Sequence, residues 1–348
     1  MNMKLIAARF PSPIPALVPL FAGLLALAAI AGCRPSTPNS SEHGPESIWP
    51  RTTFEGNDPI RAVCTTGQVA DAVRAIGGPR IEATAMMGPG VDPHLYKSVP
   101  SDIERLEAAD IVFYNGLHLE GRLADVLHRL AERRPAFAFT GQLEAEKSPL
   151  LKKPTPTSEY YDPHVWHDVK LWSQCVNYIV EVLSKFDPPH AQEYRERGEA
   201  YLAELVETDT YAREQMESIP SAQRVLVTAH DAFAYFSSAY GLEAVGLKGV
   251  STEDEVDIGR VDEVIDLVVE RKIPAVFVES SIAPRMVEAL IEPCKKQGHE
   301  VRIGGELYSD ALGGSGSGAD TYVGMIRANV DTIVAGLKGS SSPSTTDR

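Results

Sequence analysis

Two rhythms of apolar residues alternate along residues 59–338. Short apolar runs bounded by turn residues read as strands, and stretches with apolar positions three or four residues apart read as helices. Strands are predicted at 60–64, 80–87, 111–114 and 136–140, and helices at 68–76, 101–108 and 119–133. Ser101 would cap the second of these helices, with Glu104 three residues on. A polar loop with three lysines and no histidine follows at 142–161. It leads into a helix that runs from Pro163 to about 186. Residues 190–219 hold one glycine and no proline, and Tyr194, Tyr201, Leu202 and Leu205 fall at helical spacing. Such a helix would span roughly 45 Å. The alternation then restarts. Strands are expected at 224–228, 243–247, 275–279 and 301–303, and helices at 232–240, 257–271, 283–297 and 321–337. The order strand, helix, strand predicts α/β architecture, with parallel sheet flanked by helices in each half.

Composition sets the limits. The chain has 348 residues, 43% hydrophobic and 23% charged, enough to build two cores. A formal charge of −15 argues against nucleic acid as a partner, because phosphate binding needs basic patches. The start reads as a secretory leader. Lys4 and Arg9 precede a mostly apolar stretch at 14–30, broken by Pro15 and Pro19 and ending Ile30-Ala31-Gly32-Cys33. A cysteine directly after Ala-Gly resembles a bacterial lipobox, which makes Cys33 the expected lipidated N-terminus. An uncleaved membrane helix is the alternative that the prolines disfavour. The expected organisation is leader 1–32, flexible tether 33–58, first lobe 59–187, linking helix 188–219, second lobe 220–338 and disordered tail 339–348. Cys64, Cys175 and Cys294 lie in apolar or helical contexts and read as small buried hydrophobes.

The candidate chemistry centres on residues 162–168, Asp-Pro-His-Val-Trp-His-Asp. Pro163 holds Asp162 extended and pre-sets a helix start, which would put His164 at the helix mouth. His94 also follows Asp-Pro, after the second strand. His230 follows the first strand of the second half, beside Asp231. Asp310 lies beyond the last strand. In open α/β sheets, ligands bind beyond the carboxyl ends of strands, so two such sheets facing one another would gather these residues. A lone histidine at a strand end is usually an ordinary polar residue. Three of them in equivalent places, each beside an acid or Asp-Pro, point to a metal. Imidazoles with a carboxylate suit zinc, and also manganese or iron. No His-Glu-x-x-His is present, and no acid is placed as a general base beside His164, so a metallohydrolase is disfavoured.

Several segments in order carry a family resemblance. They are Gly88-Pro89-Gly90-Val91-Asp92-Pro93-His94, Asn115-Gly116-Leu117-His118-Leu119-Glu120, Asp162-Pro163-His164-Val165-Trp166, Val227-Thr228-Ala229-His230-Asp231-Ala232-Phe233 and Phe277-Val278-Glu279-Ser280-Ser281. Gly305-Glu306-Leu307-Tyr308-Ser309-Asp310-Ala311-Leu312-Gly313 and Thr321-Tyr322-Val323-Gly324-Met325 complete the set. Over about residues 59–338 the chain resembles the zinc/manganese solute-binding lipoproteins of bacterial ABC transporters (cluster A-I, TroA-like). The resemblance implies two Rossmann-like lobes joined by one long rigid helix, with one Zn²⁺ or Mn²⁺ in the cleft between them. It implies His94, His164, His230 and Asp310 as ligands, and delivery of the ion to a membrane permease driven by a cytoplasmic ATPase. It also implies a monomer anchored outside the cytoplasm through lipid on Cys33. The loop at 142–161 lacks the histidines common in zinc-specific members, which leaves manganese open. His167 is expected as a neighbour at the cleft edge and His118 as a residue packed beneath the site. Glu279 is expected to hydrogen-bond a ligand histidine, and Asp320 to cap the last helix. Surface adhesion is the alternative function, and no separate sequence feature supports it.

Overall fold

A computed structural model describes residues 49–339. The predicted leader, Cys33, the tether as far as residue 48 and the tail from 340 lie outside the described residues.

The first half is built on four parallel strands, β1 (Ile60–Cys64), β2 (Ile81–Ala85), β3 (Ile111–Tyr114) and β4 (Ala136–Ala138), in the order β2-β1-β3-β4. Ile60 stands opposite Ile81, and Ala62 opposite Ile111. β1 and β3 are buried along nearly their whole length. Continuous apolar runs of this kind belong to parallel strands covered on both faces. The helices are α1 (Gly67–Gly77), α2 (Pro100–Ala108), α3 (Ala124–Ala131), α4 (Gly141–Ala145) and α5 (Val169–Phe186).

The second half pairs β5 (Val225–His230) with β6 (Glu243–Lys248), and β7 (Ala275–Glu279) with β8 (Arg302–Leu307). Both pairs are parallel, and β5 lies beside β7. Between the halves runs α6 (Ala191–Glu217), 27 residues long, or about 40 Å. The remaining helices are α7 (Ala234–Tyr240), α8 (Ile258–Glu270), α9 (Arg285–Glu288), α10 (Ile291–Lys296) and α11 (Tyr322–Leu337). Tyr194, Tyr201, Leu205, Ala212 and Met216 form the buried stripe of α6, which packs on α5, α1 and α11. Gly198 lets α5 approach closely, because a Cβ there would meet Val180 Cγ2 at 2.5 Å. No helix among the described residues is long and apolar enough to cross a membrane.

Several predicted boundaries are corrected. Pro100 opens α2, so Val99 is its cap, and Asp102 rather than Glu104 accepts the Val99 N–H at 3.0 Å. The helix expected from residue 119 starts only at Ala124, because Leu117 and His118 adopt positive φ in the preceding turn. After Pro163 comes a single 3₁₀ turn, Val165–His167; α5 then starts on Asp168, whose Oδ1 accepts the N–H groups of Lys170 and Leu171. The segment 283–297 forms two short helices. Pro293 has no N–H to donate to Ala289, which breaks a continuous helix. Thr321, not Asp320, caps α11; Asp320 accepts from Gly316 N at 2.9 Å. The end of the predicted tether belongs to the fold. Phe54 N–H donates to Phe186 O at 2.6 Å, and Trp49 packs on Tyr178. Cys64, Cys175 and Cys294 are free and buried, as expected.

Candidate metal centre

Two turns of the same sequence hold two of the candidate side chains. In Asp92-Pro93-His94 and in Asp162-Pro163-His164, the aspartate Oδ1 accepts the histidine backbone N–H at 2.9 Å. An aspartate that closes such a turn fixes where the second residue on will point. His230 is the last residue of β5, opposite Lys248 of β6. The two strands run very close at this end: a Cβ on Gly246 would stand 2.4 Å from Asp231 N. Asp310 lies in the loop beyond β8, next to the fully buried Ser309.

These four side chains converge. His94 Nε2 and His164 Nε2 are 3.2 Å apart, and His164 Nε2 and His230 Nε2 are 3.3 Å apart. Asp310 Oδ1 is 3.4 Å from His164 Nε2, and Asp310 Oδ2 is 3.5 Å from His230 Nε2. All four are buried, and one donor atom from each lies within 4.8 Å of every other. Four donors about 2.0–2.1 Å from a zinc ion would stand about 3.3–3.4 Å from one another in a tetrahedron.

The other ring nitrogens decide what the converging atoms are. His164 Nδ1 lies 2.7 Å from Asp162 Oδ1, and His230 Nδ1 lies 2.6 Å from Glu279 Oε2. A carboxylate only accepts, so each Nδ1 carries the hydrogen, and each Nε2 of a neutral ring presents a lone pair. Asp310 adds two more acceptor oxygens, and its Oδ1 accepts no hydrogen bond among the described residues. Acceptors facing acceptors in a buried space are costly unless a proton or a cation sits among them.

The charges express this tension. Burial opposes protonation of His164, yet Asp162 and Asp310 outweigh it and raise its pKa. His230 is likewise raised well above the ordinary value, because Glu279 and Asp310 overcome its burial. Asp310 is held well below the carboxylate range by His230 and His164, against its own burial. His94 goes the other way. Burial, with the neighbouring imidazoles, depresses it to about 3, so its ring stays neutral at neutral pH. A cleft of about 950 Å³ opens on the His94 side of the cluster.

The remaining sequence candidates divide. Glu279 bonds His230 at both backbone and ring, at 2.9 and 2.6 Å. His167 turns away from the cluster: its Nε2 donates to Ser309 O at 3.0 Å, and its ring packs on Phe233. His118 does not lie beneath the site. It is exposed and stacks on Tyr160 with centroids 4.0 Å apart. Sequence reasoning passed over Asp162 and Asp92 as orienting groups. The repeated Asp-x-His spacing was the available signal, because an aspartate two residues before a histidine can accept its N–H.

A family model described as zinc-uptake complex component A, periplasmic, matches residues 62–336. The chain is 46% identical over 275 residues to the zinc-binding protein TroA of Treponema pallidum, covering 79% of this chain and 88% of that protein. It is 43% identical over 279 residues to the manganese-binding lipoprotein MntA of Bacillus subtilis, covering 80% of this chain and 90% of that one. The solved structure of the periplasmic zinc-binding protein TroA of Treponema pallidum superposes with a TM-score of 0.76 at 44% identity, covering 80% of this chain and 99% of the other.

Proposed function

The chain belongs to the family of zinc-uptake complex component A, and from that premise we propose that it captures one divalent transition-metal ion and passes it to an ABC transporter for uptake. The ion is held by His94 Nε2, His164 Nε2, His230 Nε2 and an Asp310 oxygen. The observation that carries this reading is a buried set of three imidazole nitrogens and a carboxylate whose neighbours stand 3.2–3.5 Å apart, the edge lengths of a metal tetrahedron. One chain supplies all four groups, so binding needs no second copy. Four protein donors also close the coordination sphere, leaving no position for the water that a zinc hydrolase would activate.

The cargo is Zn²⁺ or Mn²⁺. Three imidazoles favour zinc by intrinsic affinity, whereas availability and the carboxylate allow manganese. Both metals occur in the names of its relatives. The partners are a membrane permease and its cytoplasmic ATPase. The protein stands outside the cytoplasm, anchored through lipid on Cys33.

Elemental analysis of the chain purified without chelator, with zinc and manganese titrations by calorimetry, tests the reading. One equivalent of metal, lost in the His94→Ala His164→Ala double variant, is expected. No uptake of either metal by the wild-type chain would overturn it.

A further inference from the structure

The four proposed donors are not tied into the fold in the same way. His164 and Asp310 are joined beneath the site by buried bonds between the halves. Trp166 Nε1 and His167 Nε2 both donate to Ser309 O, at 2.8 and 3.0 Å. Tyr322 Oη donates to Trp166 O at 2.8 Å. His230 is clamped within its own half by Glu279.

His94 has a different support. Asp92 Oδ1 holds its backbone N–H, and the other oxygen of that carboxylate, Oδ2, accepts from Thr252 Oγ1 at 2.6 Å. Thr252 belongs to the opposite half, in the loop between β6 and α8, and is only 4% exposed. That loop is fixed close to His230. Lys248, the register partner of His230, donates through Nζ to Thr252 O at 2.5 Å, and Asp231 N–H donates to Gly249 O at 3.1 Å. The next residue, Glu253, pairs with Arg122 of the first half at the rim.

The two Asp-Pro-His turns therefore serve different ends. Asp162 Oδ1 takes both the backbone N–H and the ring Nδ1–H of His164, so that carboxylate orients its own histidine. Asp92 keeps the backbone bond and sends its second oxygen across the cleft. We propose that the Thr252–Asp92 hydrogen bond is a latch that positions His94 and governs how fast the ion leaves. The proposal rests on the metal-binding reading above. Parting the halves at the rim pulls on Asp92 through Thr252, and Asp92 carries His94. The buried bonds beneath keep His164 and Asp310 together meanwhile. His94 is thus the first donor withdrawn, on the side where the cleft opens. A short, partly buried bond from a hydroxyl to a carboxylate is among the stronger neutral-to-charged contacts, so its loss should be measurable.

The test uses the full chain loaded with Zn²⁺ and mixed with excess chelator, with release followed by stopped flow. Thr252→Val keeps the shape and removes the donor; release about tenfold faster than wild type is expected. Thr252→Ser restores the hydroxyl and should release at the wild-type rate. Thr252→Ala, which adds no methyl where the hydroxyl stood, should match Thr252→Val. The metal-free thermal midpoints of all three should stay near that of wild type, which separates positioning from loss of fold. Release at the wild-type rate from Thr252→Val and Thr252→Ala would overturn the latch, as would Thr252→Ser releasing as fast as Thr252→Val. A wild-type chain that binds no zinc would instead overturn the metal-binding reading, and the latch with it.

Discussion

His230 Nδ1 stands 2.6 Å from Glu279 Oε2, with both side chains fully buried at the ends of neighbouring strands. The second Glu279 oxygen takes the His230 backbone N–H at 2.9 Å. One carboxylate therefore fixes the ring's tautomer, its rotation and the strand end that bears it. Such outer partners typically contribute about 10–100-fold in metal affinity. Glu279→Gln is expected to weaken zinc binding by a factor in that range, read by calorimetry. Unchanged affinity would contradict the orienting role.

His230→Ala and His167→Ala should separate cleanly. His230 faces the other donors, whereas His167 bonds Ser309 O and packs on Phe233. Removing His230 should cost more affinity than the ~10–100-fold of an outer partner. Removing His167 should act mainly on thermal stability, through the lost ring contact and the bond to Ser309. Equal losses of affinity would refute the donor assignment.

Binding should be pH-dependent, and the sign follows from the raised histidines. In the metal-free protein, His164 and His230 hold protons above the ordinary imidazole range. An incoming ion must displace them, so affinity rises with pH and falls with acid. Conversely, the stability that these protonated rings lend the metal-free fold is fully present below the unfolded imidazole value of about 6.5, and is lost as pH rises through their folded values. Calorimetry in buffers of different ionisation enthalpy should detect proton release on binding. Affinity that stays constant between about pH 5 and 8 would contradict this.

Asp187 should matter to stability far from the metal. Its Oδ2 accepts from Arg80 Nε at 2.9 Å and from Tyr194 Oη at 2.6 Å, and its side chain is almost wholly buried. Burial pushes its carboxyl up, but these bonds outweigh burial and leave it below the ordinary value. Asp187→Ala leaves the Arg80 guanidinium only its carbonyl acceptors at Gly56, Asn57 and Asp58 and should cost about 1–3 kcal/mol in denaturant unfolding. Because the folded value is depressed, the contribution is present above the unfolded value of about 3.9 and is lost as pH falls through the folded one. The gap between wild type and Asp187→Asn should therefore narrow in acid, and a gap that widened would contradict the assignment.

Much of this architecture was legible in the sequence. β1, β3 and β7 stand where apolar runs bounded by turn residues put them, because a buried parallel strand needs nothing but apolar length. Helix starts were less legible. Val99, Asp168 and Thr321 compete with adjacent residues for the cap, and only the backbone bonds decide among them. The strand-end rule placed His94, His164, His230 and Asp310 near one another. It could not place His118, whose exposure follows from a left-handed turn at Leu117 and His118 that the sequence does not signal. Contacts between the halves, such as Thr252 with Asp92, join residues 160 apart and leave no periodic trace.

His94 and His164 lie 70 positions apart in the chain, and His164 and His230 lie 66 apart. Asp310 comes later still, beyond the last strand. No local hairpin or single βα unit assembles even two of these groups. Non-local contacts form late, because loop closure must be met before they return any stabilisation. A chain that has folded only its first half therefore offers an ion at most His94 and His164, and the full set waits for His230 and Asp310 of the second half. Ion capture becomes a property of the finished molecule, and a cargo bound to this protein certifies that its folding is complete.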